Sequence, residues 1–171
     1  MITVDYDRRS AVMYALRWAL SRNPEYYSYS GIGGDCTNFV SQCVYAGSGV
    51  MNYTPDFGWY YIDANDKSPS WTGVEYFYNF MTTNEGIGPF GIETDITNLV
   101  PGDVIQLGRE NGDFYHTLIL TAIRRDIFGR RYYICAHSED SYQRNLNTYD
   151  YAQRRCIHIL GVRKEENGGL M

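Results

Sequence analysis

The chain has 171 residues, 44% of them hydrophobic and 20% charged. That is enough to bury a core without metal or disulfide staples, and it excludes a disordered tail, a coiled coil and a collagenous repeat. The formal net charge of -5 has the wrong sign for a broad nucleic-acid surface, and no apolar run approaches the ~20 residues of a membrane-spanning helix, so neither nucleic acid nor a membrane is an expected partner.

The opening MITVDYDRRS carries acids where a signal peptide has a basic start and an apolar stretch. Localisation stays open on this reading: extracellular if the chain is exported, cytoplasmic otherwise. From Asp7 to about Ser21, residues Ala11, Ala15, Leu16, Ala19 and Leu20 recur at three- and four-residue steps, which predicts a helix ending before Asn23-Pro24. The segment NPEYYSYSGIGGD has glycines and no period, and reads as a loop. A second helix is predicted to start beside Cys36, with Asp35 as its cap and Phe39, Val40, Cys43 and Val44 as its apolar stripe. It runs to Ala46, where Gly47 and Gly49 stop it. Val50 to Pro69 reads as irregular and aromatic. A third helix follows from about Ser70, with Val74, Phe77, Tyr78 and Met81 inward, and fades by Gly86.

After Pro89 the period becomes two. Strands are predicted at Val104 to Leu107, Phe114 to Ile123, Arg131 to His137 and Cys156 to Val162, with Asp126-Ile127-Phe128-Gly129 as the tight turn joining the second and third. The final EENGGLM reads as a frayed end. Helices first and strands afterwards give an α+β layer arrangement, N-terminal helices packed on a C-terminal antiparallel sheet, in a single domain spanning 1–171.

Cys36 lies where chemistry would gain most, because the unpaired amides of a helix start favour a thiolate over a thiol. His116 alternates with Leu118, Leu120 and Ala122, and that apolar face is the one expected to meet the helices. A cysteine and a histidine directed into one interface form the arrangement of a cysteine hydrolase, the imidazole taking the thiol proton. A third group should hold the far nitrogen of that imidazole. With the hairpin centred near Ile127-Phe128, His137, Glu139 and Asp140 are all in reach of His116.

Taken together, GDCTNFVSQCVYAG, the WYY and SWT segments, VPGDVIQL, HTLILT and YICAHSED make the chain resemble the "putative amidase domain" family of bacterial cysteine hydrolases, relatives of NlpC-type and CHAP-type cell-wall peptidases. The resemblance runs from the helix around Tyr14-Ala15 to the third strand. It implies a papain-like fold with Cys36 as nucleophile, His116 as base and His137 as the residue orienting it, Asp140 being the alternative orienter. It also implies that an amide bond of peptidoglycan or a related peptide is cleaved through a thioester, without metal or other cofactor. The Cys36 amide is the expected oxyanion donor, with a Tyr of the YYSYS loop as a second. Trp59, Tyr60 and Trp71 could line a substrate groove.

Two other classes compete with this reading. Cys135 with His137, and Cys156 with His158, each put two metal ligands on one side of a strand, a zinc-binding pattern. The 17 tyrosines would also suit a non-catalytic module that binds wall sugar or peptide, with Cys36 merely part of its core.

Overall fold

The computed structural model describes residues 1–167. After a short strand β1 (Ile2–Val4), helix α1 (Arg8–Trp18) starts at Asp7, whose carboxylate accepts the Ser10 N–H, and it buries Ala11 and Ala15. Helix α2 (Asp35–Ser48) is almost wholly buried. Phe39, Val40, Cys43 and Val44 are fully enclosed, and a side chain such as Phe39 contributes about 2 kcal/mol through the apolar area removed from water.

The aromatic stretch that reads as irregular holds a small hairpin, β2 (Tyr61–Asp63) with β3 (Asp66–Lys67). The single third helix of the sequence reading is two helices. These are α3 (Pro69–Thr72) and α4 (Val74–Thr83), separated at Gly73, whose backbone is extended.

The sheet comprises β4 (Gly88–Thr94), β5 (Val104–Gly108), β6 (Phe114–Asp126), β7 (Gly129–Ala136), β8 (Ser141–Asn145) and β9 (Gln153–Lys164), together with β1. It is antiparallel and curled. Strand β9 pairs with β4 along one edge and with β5, and β1 beyond it, along the other; from β5 the order continues through β6 and β7 to β8. Mixed helix and sheet, with the helices on one side, matches the α+β expectation. Of the frayed tail, residues 168–171 lie outside the described residues.

Both faces of the sheet are covered. On one, Val104, Ile119, Cys135, Ile157 and Ile159 pack with Phe39, Val40 and Cys43 of α2. On the other, Ile105, Leu107, Leu118, Leu120, Ile134 and Cys156 form a second core, closed by Ile96, Leu99 and Leu146 from two short 3-10 turns and the segments beside them. This corrects one expectation. Leu118 and Leu120, on the parity of His116, turn away from the helices, while Thr117 and Ile119 meet them. Alternation could not decide the face because consecutive residues 118, 119 and 120 are all apolar and all buried.

The zinc reading fails on the same geometry. Cys135 and Cys156 lie in different cores on opposite faces of the sheet, and no metal-binding cluster exists among the described residues.

The VPGD turn supplies an anchor between layers. Asp103, fully buried, accepts the N–H groups of Val100 and Ile159 at 2.9 Å each, the Arg8 guanidinium at 2.7 Å and His158 Nδ1 at 2.7 Å. A carboxylate removed from water is tolerable only with such a full set of donors, and here they tie the start of α1 to β5 and β9.

Candidate active site

The loop before α2 ends at Gly34, which caps the helix in the left-handed region at φ 95°. A Cβ there would lie 3.1 Å from the Thr72 carbonyl oxygen, so glycine serves both backbone and space. Having no side chain, Gly34 makes no cap hydrogen bond, and the first-turn amides that include Cys36 N–H are not capped by a side chain. Asp35 is therefore inside the helix and is not its cap.

Cys36 is 5% exposed. Its Sγ lies 3.8 Å from Thr37 Oγ1, which is 2.8 Å from Thr117 Oγ1 on β6. Gln106 Nε2 donates to Thr117 Oγ1 at 3.2 Å, and Arg155 Nε donates to Gln106 Oε1 at 2.8 Å. Since Gln106 fills the acceptor side of Thr117, the Thr117 hydroxyl is free to donate to Thr37, and Thr37 to sulfur. In that orientation of the two hydroxyls, donors run from the Arg155 guanidinium toward Cys36, and negative charge developing on the thiol would meet the Thr37 hydroxyl.

The Thr37–Thr117 bond also joins the residues that follow Cys36 and His116, so the helix start and the strand start carrying them abut. His116 pairs with Leu107, and the register shifts beside it, leaving Tyr115 as the extra residue of a bulge; bulges of this kind re-aim side chains at a sheet rim. The ring lies in a cleft of about 400 Å³ lined also by Tyr115, Ser138, Glu139, Arg144 and Tyr149, a lining that does not include Cys36. Burial lowers the His116 pKa from 6.5 to about 4, helped by the Arg144 guanidinium, which stacks 3.6 Å from the Tyr149 ring. At neutral pH the imidazole is therefore neutral, the form that can accept a proton.

His137 is directed elsewhere. Its Nδ1 is 3.0 Å from Asp35 Oδ2, its Nε2 is 2.8 Å from the Trp18 carbonyl oxygen, and its ring stacks on Phe39 with 3.9 Å between centroids. Just past the end of β7, it lies on the helix-facing side with Cys135, whereas His116 is on the parity of Leu118 and Leu120. The structure thus joins His137 to Asp35 and not to His116. Asp140 also turns away, gripping Arg22 with both oxygens at 2.9 and 3.0 Å. Among the described residues no side chain hydrogen-bonds the His116 ring.

Asp35 gathers this second cluster. Besides His137 it accepts the Tyr29 N–H at 2.9 Å and Asn38 Nδ2 at 3.3 Å, and it faces Arg22 Nε at 3.2 Å. Burial pushes its pKa up, but the hydrogen bonds from His137, Tyr29 and Asn38 outweigh this and hold it at about 2. The aromatic groove is corrected as well. Trp59 and Trp71 are fully buried, donating their indole N–H groups to Ser41 and Asn38, while Tyr60 is half-buried. In the YYSYS loop, Tyr29 spends its hydroxyl on the Ala64 carbonyl and Tyr26 stacks on Trp71.

Sequence reasoning missed Thr37, Thr117, Arg144, Tyr149 and the central role of Asp35. For Asp35 a signal existed, an acid immediately before the candidate nucleophile.

Residues 5–160 match the family model described as "Putative amidase domain". The chain belongs to that family. It is 37% identical over 121 residues to "Uncharacterized protein YhbB" of Bacillus subtilis (strain 168), an alignment covering 68% of this chain and 37% of that protein, so the chain spans well under half of this relative's length. No solved structure matches. The family name suggests amide hydrolysis.

Proposed function

We propose that this amidase-family chain is a papain-like cysteine amidohydrolase, in one domain, with Cys36 as nucleophile and His116 as base, acting on amide bonds of peptidoglycan or a related peptide. The observation that carries the reading is the Thr37–Thr117 hydrogen bond at 2.8 Å, which sets the uncapped helix start bearing Cys36 against the strand start bearing His116. His116 takes the thiol proton, sulfur attacks the amide carbonyl, and the amine leaves with that proton. Water activated by the same imidazole then hydrolyses the thioester. The Cys36 N–H supports the oxyanion. His137 and Asp140 enter as positioning residues of the helix start, through Asp35 and Arg22.

The test is selective alkylation. All four cysteines are buried, and burial raises the pKa of Cys43, Cys135 and Cys156, to about 11 for Cys156. Iodoacetamide at pH 6, followed by peptide mass analysis, is expected to label Cys36 at least about tenfold faster than the other three. Uniform or absent labelling of Cys36 would remove the nucleophile from the mechanism and favour the Tyr-rich binding module.

The base makes a second expectation. The acidic limb of kcat/KM reports the free enzyme's essential base. With the His116 pKa lowered to about 4, that limb is expected near pH 4, and Arg144→Gln should move it upward by removing a neighbouring positive charge. A limb near 6.5 in the parent protein, unmoved in Arg144→Gln, would exclude His116 in this environment as the base.

A further inference from the structure

The hairpin between β6 and β7 leaves the body of the sheet. Strand β6 is paired with β5 only as far as Ile119, and β7 with β8 only from Tyr133 onward. The residues between continue as a two-stranded ribbon in which Arg124 faces Arg131, Arg125 faces Arg130 and Asp126 faces Gly129. At the tip Phe128 N–H donates to Asp126 Oδ1 at 2.8 Å and Gly129 has φ 113°, so the turn geometry is met by Asp and Gly alone.

Ile127 and Phe128 occupy the two turn positions without serving the turn, and they are 92% and 83% exposed. Folding gains nothing from burying them. The arginines add a cost, since like charges directly across a ladder repel. Only Arg131 has a carboxylate partner, Asp126 at 2.7 Å; Arg130 donates to the Thr97 carbonyl oxygen, and Arg124 and Arg125 pair with no acid among the described residues. Four arginines against one aspartate within residues 124–131 also run against a chain of net charge -5.

From this the geometry points to a peripheral docking finger for an anionic lipid surface: Ile127 and Phe128 enter the apolar phase and the arginines behind them meet headgroup phosphates. An anionic polymer would satisfy the charges but offers nothing to the two apolar side chains. A protein partner needs on the order of 800 Å² on each side, several times what two side chains present. A lipid interface answers both features, because apolar residues backed by basic ones are the composition of membrane-surface contacts. No helix among the described residues is long and apolar enough to cross a membrane, and this mode needs none.

Cosedimentation of the full chain with vesicles tests it. Equimolar phosphatidylcholine and phosphatidylglycerol vesicles are expected to bind the protein at least roughly tenfold more tightly than phosphatidylcholine alone, with release at high salt. The double change Ile127→Ser with Phe128→Ser should lose about tenfold, and Arg124→Gln with Arg125→Gln should abolish the preference for the anionic lipid. All four positions are exposed, and an unchanged far-ultraviolet circular dichroism spectrum controls for folding. Absence of vesicle binding, or binding indifferent to the Ile127/Phe128 change, overturns the proposal. So does retention on heparin equal to that on vesicles and insensitive to the same change, which would reassign the arginines to a soluble polyanion.

Discussion

Cys36→Ala is expected to abolish amide cleavage, by roughly 10³-fold or more, while leaving the fold within about 1 kcal/mol of the parent. The asymmetry follows from where the sulfur sits. It lies at the helix start beside Thr37 and outside both hydrophobic clusters, so its removal leaves the two cores intact. Cys43 and Cys135 are fully buried within the helix-facing core, and Cys43→Ala should show the inverse result: a loss of about 1–2 kcal/mol from the vacated volume, with turnover retained. Assaying both variants on peptidoglycan fragments and model peptide amides, with urea melts alongside, separates the cases. Undiminished turnover by a folded Cys36→Ala protein would remove the cysteine mechanism.

His137→Ala is expected to cost about 3 kcal/mol of stability, because it strips the buried Asp35 carboxylate of its histidine partner, removes the Nε2 contact with the Trp18 carbonyl and empties the stack on Phe39. For a chain of this size that corresponds to a fall in Tm of about 6–12 °C. The pH dependence has a definite sign. The folded pKa of Asp35 is depressed to about 2 from 3.8, so its contribution is fully present above about pH 4 and disappears as the pH falls toward 2. Acid unfolding of the parent should draw on that window, and His137→Ala should weaken the dependence there. Activity should fall through displacement of the Cys36 turn, with the acidic limb of the pH–rate profile unmoved and partial rescue in His137→Gln. If the limb moves while Tm does not, His137 orients the base after all and does not lock the helix.

These two residues show what was legible in the sequence. Cys36 could be found because helix periodicity and a glycine stop signal are local. The partner of His137 could not, because the Asp35 contact spans 102 positions and the obvious local role for an acid at that point was a helix cap. Strands β5, β6, β7 and β9 were readable from alternation or apolar runs. Strand β4 was not, as GPFGIET carries two glycines and a proline, and β8, SYQRN, is too polar to stand out from a loop. Missing β8 also hid Arg144, and with it the charge that shapes the surroundings of His116.

The position of β9 bears on how the chain reaches this state during synthesis. This strand spans Gln153–Lys164 and is the shared neighbour of β1, β4 and β5. Those three strands emerge from the ribosome well before their partner, so the sheet cannot be completed in the order of translation. Until β9 clears the exit tunnel, the edges of β1, β4 and β5 that it covers in the finished sheet have no partner. Late, non-local pairing of this kind is the regime in which domains fold slowly and depend on protection from aggregation.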